Sequence, residues 1–127
     1  MTKVVVKSDR IPRPVGPYSP AVKVGNFIFC AGQIGRNPAT GHMGTTVEEQ
    51  TRQALMNLQS VLEAAGASLN DVVKTTVFMA DMSEFSRMNS EYAKFFPENP
   101  PARSTVGVAL PQGVKVEIEL VAYVEAK

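Results

Sequence analysis

The sequence predicts an α+β domain in which a mixed sheet carries two helices on one face, in the order β-β-β-α-β-α-β-β. Three observations point there. Strand-like runs follow one another directly at both ends of the chain, which suits antiparallel neighbours, whereas the two helical patterns fall in the middle, where crossovers are needed. The last strand alternates strictly between apolar and mixed residues, so one of its faces belongs under helices. With 127 residues the chain fits one domain, expected over 1–127, with length enough to bury a core.

The elements can be taken in order. "KVVV", "AVKV" and "FIFCAG" are β-branched or aromatic runs, the last two joined by the turn pair Gly25-Asn26. "TVEEQTRQALMNLQSVLEAAG" follows, with Val47, Ala54, Leu55, Leu58, Val61, Leu62 and Ala65 forming one apolar stripe. Thr46 and Glu49 make a capping-box pair at its start, and Gly66 supplies its stop. "DVVKTTVFM" is the next strand. "SEFSRMNSEYAKFF" then places Phe85, Met88, Tyr92, Phe95 and Phe96 on one helical face, together with Asn89, and Pro97 ends it. "RSTVGV" and "VKVEIELVAYV" close the chain. Read as a hairpin about "ALPQG", they set Arg103 and Thr105 on the same polar face as Glu117 and Glu119, opposite the stripe Val114, Val116, Ile118, Leu120, Ala122 and Val124.

Composition narrows the function classes. Thirteen Lys and Arg against twelve Asp and Glu give a net charge of +1, and the charges are interspersed. No basic stripe is available to follow a phosphate backbone, so nucleic acid is not an expected partner. A single cysteine, Cys30, excludes an intrachain disulfide and suits a reducing, cytoplasmic setting. "MTKVVVKSDR" has neither the apolar run of a signal peptide nor the pattern of a transit sequence, and no run approaches a membrane span. His42 has no partner at metal-ligand spacing, and neither a phosphate-binding glycine motif nor a nucleophile elbow occurs; no metal and no cofactor are expected.

Five positions invite a chemical reading, each beside a plainer one. Arg103 opens a strand after "PPA"; it is either an edge residue paired with Glu117 or Glu119, or a planar fork for a small carboxylate. Glu117 and Glu119 are solvated strand residues or a general acid/base. Asn89, an amide on an aromatic stripe, caps a loop or touches a ligand. Tyr18, in "GPYSPA", packs at the domain edge or closes a pocket from a stiffened loop. Cys30 reads as core.

Four stretches in this order, "GPYSPA", "AGQIGRNPATG", "VKTTVFMADMSEFSRMNSEYAKFF" and "PPARSTVGVALPQGVKVEIELVAY", resemble the RidA family, also called YjgF, over nearly the whole chain. The resemblance implies a chorismate-mutase-like fold assembled as a homotrimer, with sites in clefts between subunits and three sheet faces lining a central barrel. It implies hydrolysis of reactive 2-imino acids, such as 2-iminobutanoate and 2-iminopropanoate, to 2-oxo acids and ammonia without metal or cofactor. Matched by motif, Arg103 grips the substrate carboxylate, Glu117 positions the attacking water, and Tyr18 closes the pocket. Asn89 lies nearby, and Ala31 and Gly32 line the cleft with backbone. Many deaminating members carry cysteine where this chain has Thr105, which implies a backbone contact at that position. The "VALPQG" turn is one residue shorter than is typical. An endoribonuclease or translation inhibitor of the same family, and a ligand-binding trimer without turnover, are the competing readings.

Overall fold

The computed structural model describes residues 2–125. Its elements are β1 (Val4–Val6), β2 (Ala21–Val24), β3 (Phe27–Ile34), α1 (Val47–Ala64), β4 (Val72–Met79), α2 (Phe85–Phe95), β5 (Ala102–Gly107) and β6 (Val116–Tyr123). They follow the expected order. Single 3-10 turns at Leu69–Asp71 and Met82–Glu84 lead into β4 and α2.

The strands form one mixed sheet in the order β1-β2-β3-β6-β4-β5. Gly25, at φ 57°, supplies the left-handed residue of the β2–β3 turn. One expected pairing is overturned. β5 and β6 do not form a hairpin about "ALPQG": β5 runs parallel to β4 at the sheet edge, while β6 is inserted antiparallel between β3 and β4. The reason is topological. β4, α2 and β5 form a β-α-β crossover, which returns the chain parallel to β4 and uses the only bonded side of β5.

α1 begins with the expected capping box, Thr46 Oγ1 accepting from the Glu49 amide at 3.1 Å and Glu49 Oε1 accepting from the Thr46 amide at 3.2 Å. Past its C-cap, Gly66 sits at φ 84°. The buried stripe Val47, Ala54, Leu55, Leu58, Val61 and Leu62 joins Ile28, Cys30, Ile118, Leu120 and Ala122 of the sheet in one core. Each large side chain so buried contributes on the order of 1.5–3 kcal/mol.

Three polar residues of α1 are buried: Thr51, whose hydroxyl has no hydrogen-bond partner among the described residues, and Gln50 and Asn57, which are both satisfied. Gln50 donates to the Gly44 and Gly113 carbonyls (2.8 and 2.9 Å) and accepts from the Lys115 amide (2.8 Å). Asn57 donates to the carbonyls of Ile34 and Arg36 at 3.3 and 2.9 Å. Buried amides so matched tie loop ends to α1 at little net cost. They hold the end of β3 and the approach to β6 against one helix.

The opposite face of the sheet is bare, as the alternation in β6 implied. Phe27, Phe29 and Tyr123 cluster there, with Phe27 and Tyr123 edge to face at 5.0 Å, and all three are exposed. No helix of the described residues is long and apolar enough to cross a membrane.

Candidate active site

Strand register decides which charged residues can meet. Arg103 pairs with Thr75, and Thr75 pairs on its other side with Leu120. Arg103 therefore lies on the helix-covered face, and Thr105, paired with Val77, lies there too. Glu117 and Glu119 pair with Phe78 and Thr76, which point to the bare face. The expected shared polar face for these four residues is thus corrected: the parallel pairing of β5 sends Arg103 and Thr105 to the opposite side from the glutamates.

The Arg103 cluster is built from α2. Phe85, Asn89 and Tyr92, at i, i+4 and i+7, project from one side of that helix. The guanidinium carbon lies 4.8 Å from the Tyr92 ring centre and 5.5 Å from that of Phe85, and Nη1 donates to Asn89 Oδ1 at 2.7 Å. Tyr92 is itself pinned, its hydroxyl 2.7 Å from the buried Thr75 Oγ1. Burial pushes the Tyr92 phenol above its ordinary pKa, so it stays protonated and hydrogen-bonded. Among the described residues no carboxylate lies within ion-pair distance of Arg103. The plainer reading, an edge arginine paired with Glu117 or Glu119, is excluded by the register. What remains is a cation held by two rings and an amide, with donors left over for a planar anion.

Thr105 stands two residues further along this edge. Its Oγ1 is buried and without a hydrogen-bond partner among the described residues. The Val108 amide donates inward to Met79 O at 2.9 Å. By strand alternation the amides of Ser104 and Val106 also face β4, and those of Arg103 and Thr105 face outward from the edge. An unpaired strand amide thus sits beside the guanidinium, as a backbone contact at Thr105 requires.

The second cluster gathers around an irregularity in β3. Cys30 pairs with Leu120 and Gln33 with Ile118, so two residues of β3, Ala31 and Gly32, stand where β6 supplies only Glu119. This is a β-bulge, a common device beside functional sites. The bulge is tied to the "GPYSPA" loop by the Ala31 amide, which donates to Pro20 O at 2.9 Å. Tyr18, whose amide donates to Gly16 O at 2.8 Å, presents its ring from that loop, half exposed. Gly32 leaves room here: a Cβ would meet the Glu117 carboxyl group, its carboxyl carbon only 2.9 Å away, and push that side chain aside. Glu117 occupies the space a side chain at position 32 would fill.

Tyr18, Ala31, Gly32, Glu117 and Glu119 line a cleft of ≈ 760 Å³, along with Arg13 and Arg36. Burial, and secondly the like charge of Glu119, raise the Glu117 pKa above the ordinary carboxylate range. A carboxyl that gains and loses a proton nearer neutrality is suited to acid–base work. Arg103, Asn89 and Thr105 do not line this cleft. The other candidates are structural: Cys30 is buried, its thiol pushed up to about 12, and His42 is exposed in a turn where its carbonyl accepts from the Asn37 amide at 2.8 Å.

Sequence reasoning assigned Phe85 and Tyr92 to packing only and passed over Gln50, Asn57, Arg13 and Arg36. A signal existed for the amides, since both interrupt the apolar stripe of α1. None existed for the arginines, whose cleft is assembled by a loop and a bulge.

Known proteins resemble the chain over nearly its whole length. The sequence profile described as Endoribonuclease L-PSP matches residues 8–124. Over 125 residues the chain is 50% identical to a RutC family protein of Pyrococcus horikoshii, covering 97% of this chain and 99% of that one. It is 44% identical over 126 residues to the 2-iminobutanoate/2-iminopropanoate deaminase of Escherichia coli, covering 96% and 98%. A solved Thermotoga maritima structure carrying an endoribonuclease designation superposes with a TM-score of 0.93 at 48% identity, covering 98% of this chain and 100% of that one.

Proposed function

Since the chain belongs to the Endoribonuclease L-PSP family, which takes in the RutC and 2-imino acid deaminase proteins it matches, we propose that it hydrolyses small 2-imino acids to 2-oxo acids and ammonia, without metal or cofactor, at sites completed between copies of itself. The observation that supports this reading is the division of the machinery. An anion hook at the sheet edge and a proton-handling carboxyl in a cleft lie on opposite faces of one sheet, with β4 between their strands. One copy offers Arg103 and the Thr105 amide; its neighbour offers Glu117, Tyr18 and the Ala31–Gly32 bulge. A cyclic homotrimer repeats this contact three times and covers the bare aromatic face.

The chemistry is then simple. Arg103 holds the substrate carboxylate by two parallel N–H donors, with the Thr105 amide beside it. Glu117 takes a proton as water adds to C2 of the protonated imine, giving a carbinolamine. The same carboxyl returns that proton to nitrogen, the C–N bond breaks, and the carbonyl forms as ammonia leaves and carries away the hydroxyl proton as ammonium. A protonated imine is already electrophilic, so fixation, water orientation and proton transfer suffice.

The test uses two inactive chains. Arg103→Ala and Glu117→Gln are purified separately, then unfolded and refolded together in equal amounts. In a ring where each site takes Arg103 from one copy and Glu117 from the next, about a quarter of the sites are intact and hydrolysis of 2-iminobutanoate returns to that fraction. No recovery would show that each chain builds its site alone. Cleavage of RNA by the wild-type chain that is abolished by both substitutions would favour the family's ribonuclease designation instead.

A further inference from the structure

The cleft around Glu117 contains more positive charge than the reaction uses. Arg13, in the loop before Tyr18, is exposed and has no ion-pair partner among the described residues. Arg36 lies two residues beyond Ile34, which pairs with Glu117 and shares its face. Its Nη1 donates to the Gly41 carbonyl at 2.8 Å, which fixes the side chain and leaves its other N–H groups available. Both arginines line the same cleft as Glu117 and Tyr18.

Their plain role would be to neutralise Glu117 and Glu119. The structure argues against it. Neither arginine comes within 4.0 Å of either carboxylate. The upward shift of Glu117 is set by burial and by Glu119, with no lowering contribution from an arginine. A counterion would have pulled that carboxyl the other way. Among the described residues of one copy, two guanidinium groups therefore face the cleft without a protein anion to meet, beside a carboxyl that their charge leaves undisturbed.

We infer that the preferred substrates are 2-imino acids with a second carboxylate at the far end of the side chain, held by Arg13 and Arg36 while the α-carboxylate is held elsewhere. The imines of aspartate and glutamate, 2-iminosuccinate and 2-iminoglutarate, are the members of this class of four and five carbons. The planar fork of arginine recognises a carboxylate by paired hydrogen bonds, which a methyl group at the same carbon cannot make. The inference deepens the hydrolase reading and rests on it for the reaction, though the selectivity stands on the cleft alone.

Matched pairs test it. Turnover is compared for 2-iminoglutarate against 2-iminopentanoate and for 2-iminosuccinate against 2-iminobutanoate, each generated in place from its amino acid by an oxidase. Binding of 2-oxoglutarate and 2-oxopentanoate is measured by calorimetry on the same wild-type protein. We expect the dianion to be favoured by about tenfold in kcat/KM in at least one pair, and in binding. Arg13→Gln and Arg36→Gln, both at exposed positions, should each reduce that ratio severalfold. A ratio near one in wild type, or a preference untouched by both substitutions, overturns the inference. Selective binding of 2-oxoglutarate with no hydrolysis of any imine would uphold the dianion site while sinking the hydrolase reading, so the two failures are distinguishable.

Discussion

Arg103 and Glu117 are charged residues on strands of one sheet, yet they are held by opposite means. Arg103 is fixed by what touches it: two aromatic rings, an asparagine oxygen, and behind Tyr92 a threonine hydroxyl. Glu117 is tuned by what is missing: among the described residues it has no ion-pair partner, it lies over a glycine, and the charge that shifts it is another carboxylate, Glu119. A binding group gains from a rigid cradle that fixes geometry before the ligand arrives. A proton-transfer group gains from surroundings that leave both protonation states accessible. The contrast predicts that the two sides respond differently to substitution.

The largest effect is expected at Glu117. Glu117→Gln should slow imine hydrolysis by ~100- to 10,000-fold, with 2-oxo acid binding retained; unchanged turnover would remove its role. The same change should not cost stability at neutral pH. Because the folded-state pKa of Glu117 is raised above the unfolded value, its favourable contribution is complete only below the unfolded pKa and is lost as pH rises through the folded one. Melting temperatures of wild type and Glu117→Gln should show the variant at least as stable at pH 7, with any advantage closing in acid. Gly32→Ala attacks the same group indirectly, since a Cβ displaces the carboxyl. It should lose most activity while the fold persists by circular dichroism.

Arg103→Lys comes next. Lysine keeps the charge but loses the paired donors and the stacking on Tyr92, at about 1.5–3 kcal/mol per charge-assisted hydrogen bond. KM should rise and 2-oxo acid binding weaken, with the melting temperature little changed. Near-normal KM would reduce the cradle to packing.

The smallest effect is at Glu119. Glu119→Gln should leave turnover near neutrality within a few-fold. Removing the like charge lowers the Glu117 pKa, so the acid limb of the kcat/KM profile should move to lower pH. A stationary limb would mean that burial alone sets Glu117.

These expectations also show what the sequence made legible. α1 and the β2–β3 turn were readable because their signals are local: a capping box, a stripe, a glycine. The alternation of β6 announced a bare face that the structure reproduces. The pairing of β5 was not readable, because a short connection between consecutive strands suggests a hairpin and nothing near Arg103 reports that α2 has already committed β5 to β4. That single non-local fact reverses the face of Arg103. Motif resemblance nominated Arg103 and Glu117 without needing the register, but only the register shows that they share no face.

The bulge in β3 has a wider effect than making room for a carboxyl. Ile28 and Cys30 point toward the helices, and so do Gln33 and Gly35, so the extra residue changes the strand's inward positions from even to odd. A strand has a reading frame of two, and this one is shifted midway, like a message with a single inserted letter. Upstream of the shift the frame spells core; downstream it turns Ile34 and Arg36 outward to the cleft. Deleting one residue at Ala31–Gly32 would restore one-to-one pairing with β6, leaving Gln33 opposite Ile118 and Arg36 facing the cleft while disturbing the seat of Glu117. The inserted residue therefore serves the Glu117 wall of the cleft, while the Arg36 wall is held by the pairing of Gln33 and Ile34 with β6.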